Sequence, residues 1–233
     1  FVAIACFAGL AWATELTYEG APPFPDRFVT PSGTVVMTRD DIIAGKAGFQ
    51  RADLMDYGSL YGMGSYFGED YTADNLVRVA TLTEANLAQA RHGVPLAALS
   101  GEQQASVRTA MQEILQGVDL SAATAVLPDA LAQAIATRRG QIVEWLLHHD
   151  YAKGWTQAYS LDAVTARQTA DFLLYSSLTT VARRPGTTAS WTQNWPYEPL
   201  VGNAPTTSTF MWTWISICFA FFSFGAVLFV YER

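Results

Sequence analysis

The chain has 233 residues and a formal net charge of −7, with 50% hydrophobic and 15% charged residues. Because soluble globular domains usually carry about 25% charged residues, this composition indicates apolar segments outside a water-soluble core. The acidic balance disfavours nucleic acid and anionic lipid as partners. The two cysteines, Cys6 and Cys218, both lie in the apolar ends of the chain. This excludes a disulfide framework or a thiolate metal site in the part between them.

Both ends of the sequence are apolar. Residues 1–13 carry no charge but are too few to cross a membrane. They are interpreted as the remainder of a truncated transmembrane helix, with a signal peptide as the alternative because Ala11 and Ala13 form a small-x-small pattern. Residues 210–231 also carry no charge. A helix of that length extends about 33 Å, so we predict that it spans the bilayer.

Residues 14–209, between these ends, are predicted to form an external domain. Four prolines before residue 32 indicate an extended exit from the membrane, with a short strand over residues 34–38. A short helix is expected to begin at Asp40 or Asp41 and to break near Gly45 or Gly48. Arg233 favours a cytoplasmic position for the end after the second span, which places the large domain outside.

Four longer helices are indicated by the hydrophobic periodicity of the domain. The first is expected to begin at an N-cap Thr72 and to end at Gly93. The second begins with the capping box of Ser100 and Gln103 and ends at Gly117. The third begins at Pro128 and ends near Gly154, with a bend or split at Gly140, and the fourth runs from an N-cap Ser160 to Pro185. The sequence therefore predicts a mainly α fold with a small four-helix external domain.

Classical catalytic patterns are weak in this domain. His92, His148 and His149 are expected to have surface or capping roles, because adjacent histidines on a helix diverge by about 100° and cannot share a metal. The glycines of "YGMGSYFG" lack the spacing and the preceding strand of a phosphate-binding loop. Glu69 and Asp70 are interpreted as an acidic turn at a helix N-terminus, with cation binding as the alternative.

Two blocks of the sequence resemble a known family. The first is "YGSLYGMGSYFGEDYTADNL", residues 57–76, and the second is "WTQNWPYEPLVGNAPTTSTFMW", residues 191–212. Both are similar to segments of the quinol-dependent nitric oxide reductases, in the same order and beside predicted spans. The first block also resembles the segment after the haem-attachment site in the small cytochrome c subunit of the related cytochrome-dependent enzymes.

The resemblance implies an N-terminal fragment of a bacterial inner-membrane enzyme with its large domain on the periplasmic side. The domain would be a cytochrome c-like relative without haem, consistent with the missing C-x-x-C-H motif. In the family, quinol reduces haem b, and electrons pass to haem b3 and a non-haem iron, where two NO become N2O. The ligands of those metals lie on later transmembrane helices, so no residue of this fragment is assigned a catalytic role. The expected partners are those helices, membrane quinol and the lipid bilayer.

The resemblance also implies candidate binding residues. Gly64, through its carbonyl, and Tyr66, through its hydroxyl, match residues that bind calcium where the cytochrome subunit packs on the catalytic subunit; packing alone is the alternative. Trp191, Trp195, Tyr197 and Glu198 are candidates to line a quinol site near the external face of the membrane. Glu198 would accept a proton from quinol. The alternative role for these aromatic side chains is anchoring at the membrane interface.

A second class of protein has the same order of elements. A membrane-anchored sensor or chemoreceptor also has a span, an external four-helix ligand-binding domain and a second span. The two interpretations predict different sequences after Arg233: further spans with histidines in the enzyme, and a charged heptad-patterned linker in the sensor. A separate haem-free accessory subunit is the third alternative.

Overall fold

The computed structural model describes residues 2–148 and 161–232. Within them the protein is mainly helical, as the sequence predicts, with a few short strands. His149, the predicted helix end near Gly154 and the predicted N-cap Ser160 lie outside the described residues. The helices are α1 Val2–Gly20, α2 Arg39–Arg51, α3 Leu54–Tyr57, α4 Tyr71–His92, α5 Gly101–Gln116, α6 Asp129–Leu147, α7 Ala163–Thr179 and α8 Thr207–Tyr231.

The two apolar helices, α1 and α8, lie at the ends of the chain. α8 is, within the described ranges, the one helix long and apolar enough to cross a membrane, and none of its most apolar window is buried in the protein. α1 continues to Gly20, whereas an extended segment was expected from Thr14 onwards. The hydroxyls of Thr14 and Thr17 donate to the carbonyls four residues earlier, so these residues fit within a helix. Pro22 and Pro23 then prevent its continuation.

α7 is the centre of the domain and packs against α2, α4 and α6. Every side chain of α7 from Thr169 to Thr179 is buried, which is typical of a helix covered on all sides. Its hydroxyls are satisfied locally: for example, Ser176 donates to the carbonyl of Phe172 and Thr169 to that of Thr165. Residues with hydroxyl side chains can therefore occupy the core of α7 without partners from other helices.

α2 is continuous through both glycines at which a break was expected, so that prediction was wrong. Gly45 and Gly48 face α7, where their missing side chains allow the two backbones to approach. A Cβ on Gly45 would lie 1.8 Å from the carbonyl oxygen of Gln168, and one on Gly48 would lie 2.2 Å from Oγ1 of Thr169. These glycines therefore serve close helix packing rather than helix termination.

Several ends of the remaining helices lie where the sequence predicts them. The capping box of Ser100 and Gln103 begins α5, and Gly93 ends α4 in a left-handed conformation, as predicted. The N-cap of α4 is Asp70 instead of Thr72, because its carboxylate accepts from the backbone N–H of Ala73 at 2.9 Å. α6 passes through Gly140 without interruption.

α7 begins and ends differently from the prediction. Asp162 is its N-cap and accepts from the backbone N–H of Thr165 at 2.8 Å. The helix ends at Thr179, before Pro185. The backbone N–H of Thr180 donates to the carbonyl of Ser177, three residues earlier, at 3.1 Å, so a tighter 3-10 turn ends this helix before the proline is reached.

Two small sheets complete the domain. β2 (Val35–Thr38) confirms the predicted strand, and it pairs antiparallel with β1 (Arg27–Val29). β1 also pairs in parallel with β5 (Thr124–Val126). β3 (Ser59–Leu60) and β4 (Met63–Gly64) form a hairpin within the tyrosine- and glycine-rich block. Strands this short show too little alternation to be recognised in the sequence.

Candidate functional site

A cavity lies at the base of the domain, where α1 ends and α8 begins. It has a volume of about 440 Å³ and a mainly apolar lining. Pro22, which comes after α1, and Thr209, in the first turn of α8, contribute from opposite ends of the chain. The other lining residues are Tyr61, Met63, Trp191, Thr192 and Trp195. Both tryptophans predicted to bind quinol therefore lie in one cavity next to the apolar helix.

The β3–β4 hairpin forms one wall of this cavity. Tyr61 lies at the hairpin turn, and its hydroxyl is 2.9 Å from Oγ1 of Thr179 at the end of α7. Burial raises the pKa of Tyr61, so its hydroxyl stays protonated. Gly62, at φ +75°, lies beneath Trp195, and a Cβ there would be 3.3 Å from the indole ring. A glycine is thus needed for both the turn and the ring contact.

Asp70 holds the hairpin against α4. Its Oδ2 accepts from the hydroxyl of Ser59 and from the backbone N–H of Gly62, both at 2.7 Å. Its Oδ1 accepts from Ala73 and thereby caps α4. With its oxygens engaged by three donors, this carboxylate has a structural role, as the interpretation of an acidic turn predicts.

Trp191 is held by Arg184, which precedes it at the end of the α7 region. The guanidinium carbon of Arg184 lies 4.9 Å from the centre of the indole ring, a cation–π distance. Nη2 of Arg184 donates to the carbonyl of Trp191 at 3.1 Å and to that of Gly20 at 2.9 Å. No sequence signal pointed to Arg184, Tyr61 or Pro22 at this site, because residues far apart in the chain meet only after folding.

The other two residues predicted to bind quinol do not line the cavity. The side chain of Tyr197 is 70% exposed. Oε1 of Glu198 accepts from the backbone N–H of Leu200 at 3.0 Å and caps the short 3-10 helix Pro199–Val201. The backbone of Glu198 also pairs with Asn203. Its role as a proton acceptor stays a prediction.

The two residues predicted to bind calcium lie after the hairpin turn. Gly64, at φ +137°, packs so closely that a Cβ would be 2.5 Å from the carbonyl oxygen of Gly58. The side chain of Tyr66 is 93% exposed. The described part of the chain contains no cluster of three or more His, Cys, Asp or Glu side chains that could hold a metal. A calcium ion at Tyr66 would need most of its six to eight oxygen ligands from elsewhere.

A second, polar cavity of about 230 Å³ lies between α4, α6 and α7. Glu69 faces this cavity, and burial, followed by the nearby charge of Asp74, raises its pKa. Arg138 also lines it, donating to Asp74 at 2.7 Å and to Asn75 at 2.7 Å. Because Arg78 is the second cation beside it, the surroundings of Glu69 do not favour a bound cation.

The residues of the domain do not fit a covalently attached haem. The sequence lacks C-x-x-C-H, and His92 and His148 are exposed. The interior between α2, α4, α6 and α7 contains an aromatic cluster instead. Tyr71 lies 6.0 Å from Phe49 and 5.9 Å from Trp145 between ring centres, and Phe172 lies 5.6 Å from Phe49.

These features define a mainly helical domain, without a C-x-x-C-H motif in its sequence, joined to an apolar helix of membrane-spanning length. The family model of the NorB cytochrome c-like domain of nitric oxide reductase matches residues 25–197. The chain therefore belongs to this family, which confirms the resemblance seen in the sequence and favours the reductase over the sensor. Comparison with curated proteins gives no match. The family and α8 together indicate part of an oxidoreductase that is associated with the membrane.

Proposed function

We propose that the chain is the N-terminal part of a membrane-bound nitric oxide reductase that oxidises quinol. In the whole enzyme two NO, two electrons and two protons give N2O and water, and one quinol supplies the electrons and protons as it becomes quinone. The observation that supports a role for this chain is the aromatic cavity at the base of the domain, next to the first turn of α8. The family match supports the reaction class.

The metals of the enzyme belong to other parts of the protein in this proposal. Haem b, haem b3 and non-haem iron would be bound by later transmembrane helices and would supply electron transfer and NO reduction there. The residues of this chain would instead bind and orient quinol. α1 would be the first transmembrane helix, and the domain would lie on the periplasmic side of the bacterial inner membrane.

The cavity has the properties of a quinol site. Indole faces from Trp191 and Trp195 offer flat apolar surfaces to a quinone ring, and sites for small ligands are typically apolar with few polar groups. The lining residues that carry a hydroxyl are Tyr61, Thr192 and Thr209. Its position beside the base of α8 allows entry from the bilayer, where quinol is dissolved.

Replacement of one cavity tryptophan tests this proposal. Trp195→Ala should raise the KM for quinol about tenfold, since loss of a large aromatic contact costs about 1.4 kcal/mol or more. NO reduction with an artificial donor that reduces haem b directly should be unchanged. Steady-state kinetics of the full-length enzyme with both donors makes the comparison.

Tyr197 provides a matched control, because it lies two residues away and is exposed. Tyr197→Ala should leave the KM for quinol unchanged. An equal loss of activity with both donors in Trp195→Ala would exclude the cavity as the quinol site, as would a raised KM in both variants.

A further inference from the structure

Arg184 joins the end of α1 to the segment that leads into α8. One of its terminal nitrogens, Nη2, donates to Gly20, the last residue of α1, and to Trp191. The Nε nitrogen of Arg184 is buried and has no hydrogen-bond partner. The side chain of Arg184 therefore binds two backbone carbonyls and stacks on one indole ring.

The electrostatics of α1 explain why an arginine stands at this place. The carbonyl end of a helix carries partial negative charge and is stabilised by a cation. The last turn of α1 contains no basic residue, and Glu19 adds a negative charge there. Within the described residues Arg184 has no carboxylate partner. Its charge thus serves the C-terminus of α1.

The segment after α1 is held by the domain in a second place. The hydroxyl of Tyr175 donates to the carbonyl of Pro23 at 2.9 Å, and its ring stacks on Phe24 with centres 4.7 Å apart. Nη2 of Arg39 donates to the carbonyl of Phe24 at 2.6 Å. The exit of α1 is therefore bound along several residues and not only at Gly20.

The start of α8 is bound to the same loop as Arg184. Thr206, the N-cap of α8, donates through its backbone N–H to the carbonyl of Gln193 and through its hydroxyl to Oε1 of Gln193, both at 3.2 Å. Gln193 is two residues after Trp191. A continuous path thus leads from Gly20 through Arg184 and Trp191 to α8.

We propose that Arg184 is a positioning residue that fixes α1 and α8 in one relative arrangement through the loop of residues 191–195. The domain then holds the two apolar helices at a fixed distance and angle instead of being flexibly attached to them. Because Pro22 and Thr209 both line the apolar cavity, Arg184 also fixes the width of that cavity. The arrangement of the helices does not depend on the cavity's ligand, so its test is independent of the proposed quinol site.

The chain itself provides the measurement. Its two cysteines, Cys6 on α1 and Cys218 on α8, are both free and exposed. At 1.5 Å per residue, Cys6 lies about 21 Å below the end of α1 and Cys218 about 17 Å below the start of α8. Spin labels on these thiols therefore report mainly the separation and splay of the two helices. The protein is the full-length chain in lipid nanodiscs, with any thiol beyond residue 233 replaced by serine.

The distance between the two spin labels is measured by electron–electron double resonance in three variants. Arg184→Gln should broaden the distance distribution about twofold, since two charge-assisted hydrogen bonds are lost. Arg183→Gln is the control, because Arg183 is exposed and its side chain contacts Gln116; it should retain the width of the unchanged protein. Arg184→Lys should give an intermediate width, because lysine keeps the charge but lacks the planar group.

Two outcomes overturn the proposal. One is a distribution for Arg184→Gln that is as narrow as that of the unchanged protein. The other is a Lys variant as narrow as the unchanged protein, because charge alone would then suffice. Should Arg184→Gln fail to fold, as shown by circular dichroism, the Lys variant and the Arg183 control still decide between these results.

Discussion

The interface of α2 and α7 and the base of the domain are built in opposite ways. At the first, Gly45 and Gly48 remove side chains so that two helices touch with backbone against backbone. At the second, Trp191 and Trp195 are two of the residues that line an open cavity. The first arrangement gives close packing, which stabilises a fold, whereas the second leaves space for a ligand. The comparison separates the residues that maintain the fold from those proposed to function.

The two regions also treat charge differently. Between α2, α6 and α7, Asp171 is fully buried and accepts from Arg139 at 2.5 Å, with Arg167 at 3.4 Å. At the base, Nη2 of Arg184 donates to two backbone carbonyls and the guanidinium stacks on an aromatic ring, while its Nε has no partner. A buried pair depends on both partners, so the interior should respond to pH and the base should not.

The largest expected effect is at the glycine interface. Gly45→Ala should lower the free energy of unfolding by about 3 kcal/mol or more, because its Cβ would overlap a backbone carbonyl that cannot rotate away. Urea denaturation of the protein in detergent micelles, followed by circular dichroism, measures the change.

Gly140 is the matched control, since it is also within a helix but has no atom within 4 Å of its missing Cβ. Gly140→Ala should stabilise the protein by about 0.5–1 kcal/mol. Equal effects of both substitutions would show that helix propensity, and not contact with α7, decides the result.

The second effect concerns pH. Burial raises the pKa of Asp171 from 3.8 to about 6, although Arg139 and Arg167 act in the opposite direction. Between pH 3.8 and about 6 the carboxyl of Asp171 is therefore more protonated in the folded state than in the unfolded state. The stability from this group is fully present below pH 3.8 and is lost as pH rises through 6. The free energy of unfolding should increase by about 1 kcal/mol when the pH falls from about 7.5 to about 5.

Asp171→Asn should remove this increase, because the amide does not titrate. Asp162→Asn is the comparison: hydrogen bonds from Thr165 lower the pKa of Asp162 below 3.8, so its titration lies outside the range measured. Burial also raises the pKa of Glu69. The free energy of unfolding of Asp171→Asn should therefore still rise as the pH falls, but less steeply than that of the unchanged protein. A slope as steep in Asp171→Asn as in the unchanged protein would contradict the assignment.

Much of the fold can be predicted from local sequence signals. The capping box at Ser100, the glycine after α4 and the apolar run of α8 each act within a few residues. Gly45 misled the prediction because helix propensity treats glycine as a breaker, while tertiary contact with α7 needs it. Thr72 was assigned as an N-cap, yet its hydroxyl accepts from the backbone N–H of Tyr61, a contact that only folding creates.

The candidate site was predictable in part for the same reason. Trp191 and Trp195 are close in sequence and belong to a recognisable block, so they could be named. Tyr61 and Thr209 also lie in the two blocks and Pro22 lies in neither, but no spacing in the sequence shows that these three residues meet at one cavity. Glu198 was selected as an acid near the membrane, but its contact with Leu200 depends on the local turn and is invisible in composition.

The smallest effect tests the exposed part of the aromatic block. Tyr66→Ala should leave the interior unchanged, because its side chain is 93% exposed and such surface substitutions usually change stability by less than about 0.5 kcal/mol. If the domain docks on the later helices through this ring, the full-length enzyme should nevertheless melt a few degrees lower, in line with a loss of about 1 kcal/mol.

Tyr66→Phe separates the two proposed roles of Tyr66, packing through its ring and calcium binding through its hydroxyl. It keeps the ring and should melt like the unchanged enzyme if packing matters, but like Tyr66→Ala if the hydroxyl binds calcium. In the second case a calcium chelator should lower the melting temperature of the unchanged enzyme and have no effect on the Phe variant. Identical melting temperatures of all three proteins would exclude Tyr66 from both roles.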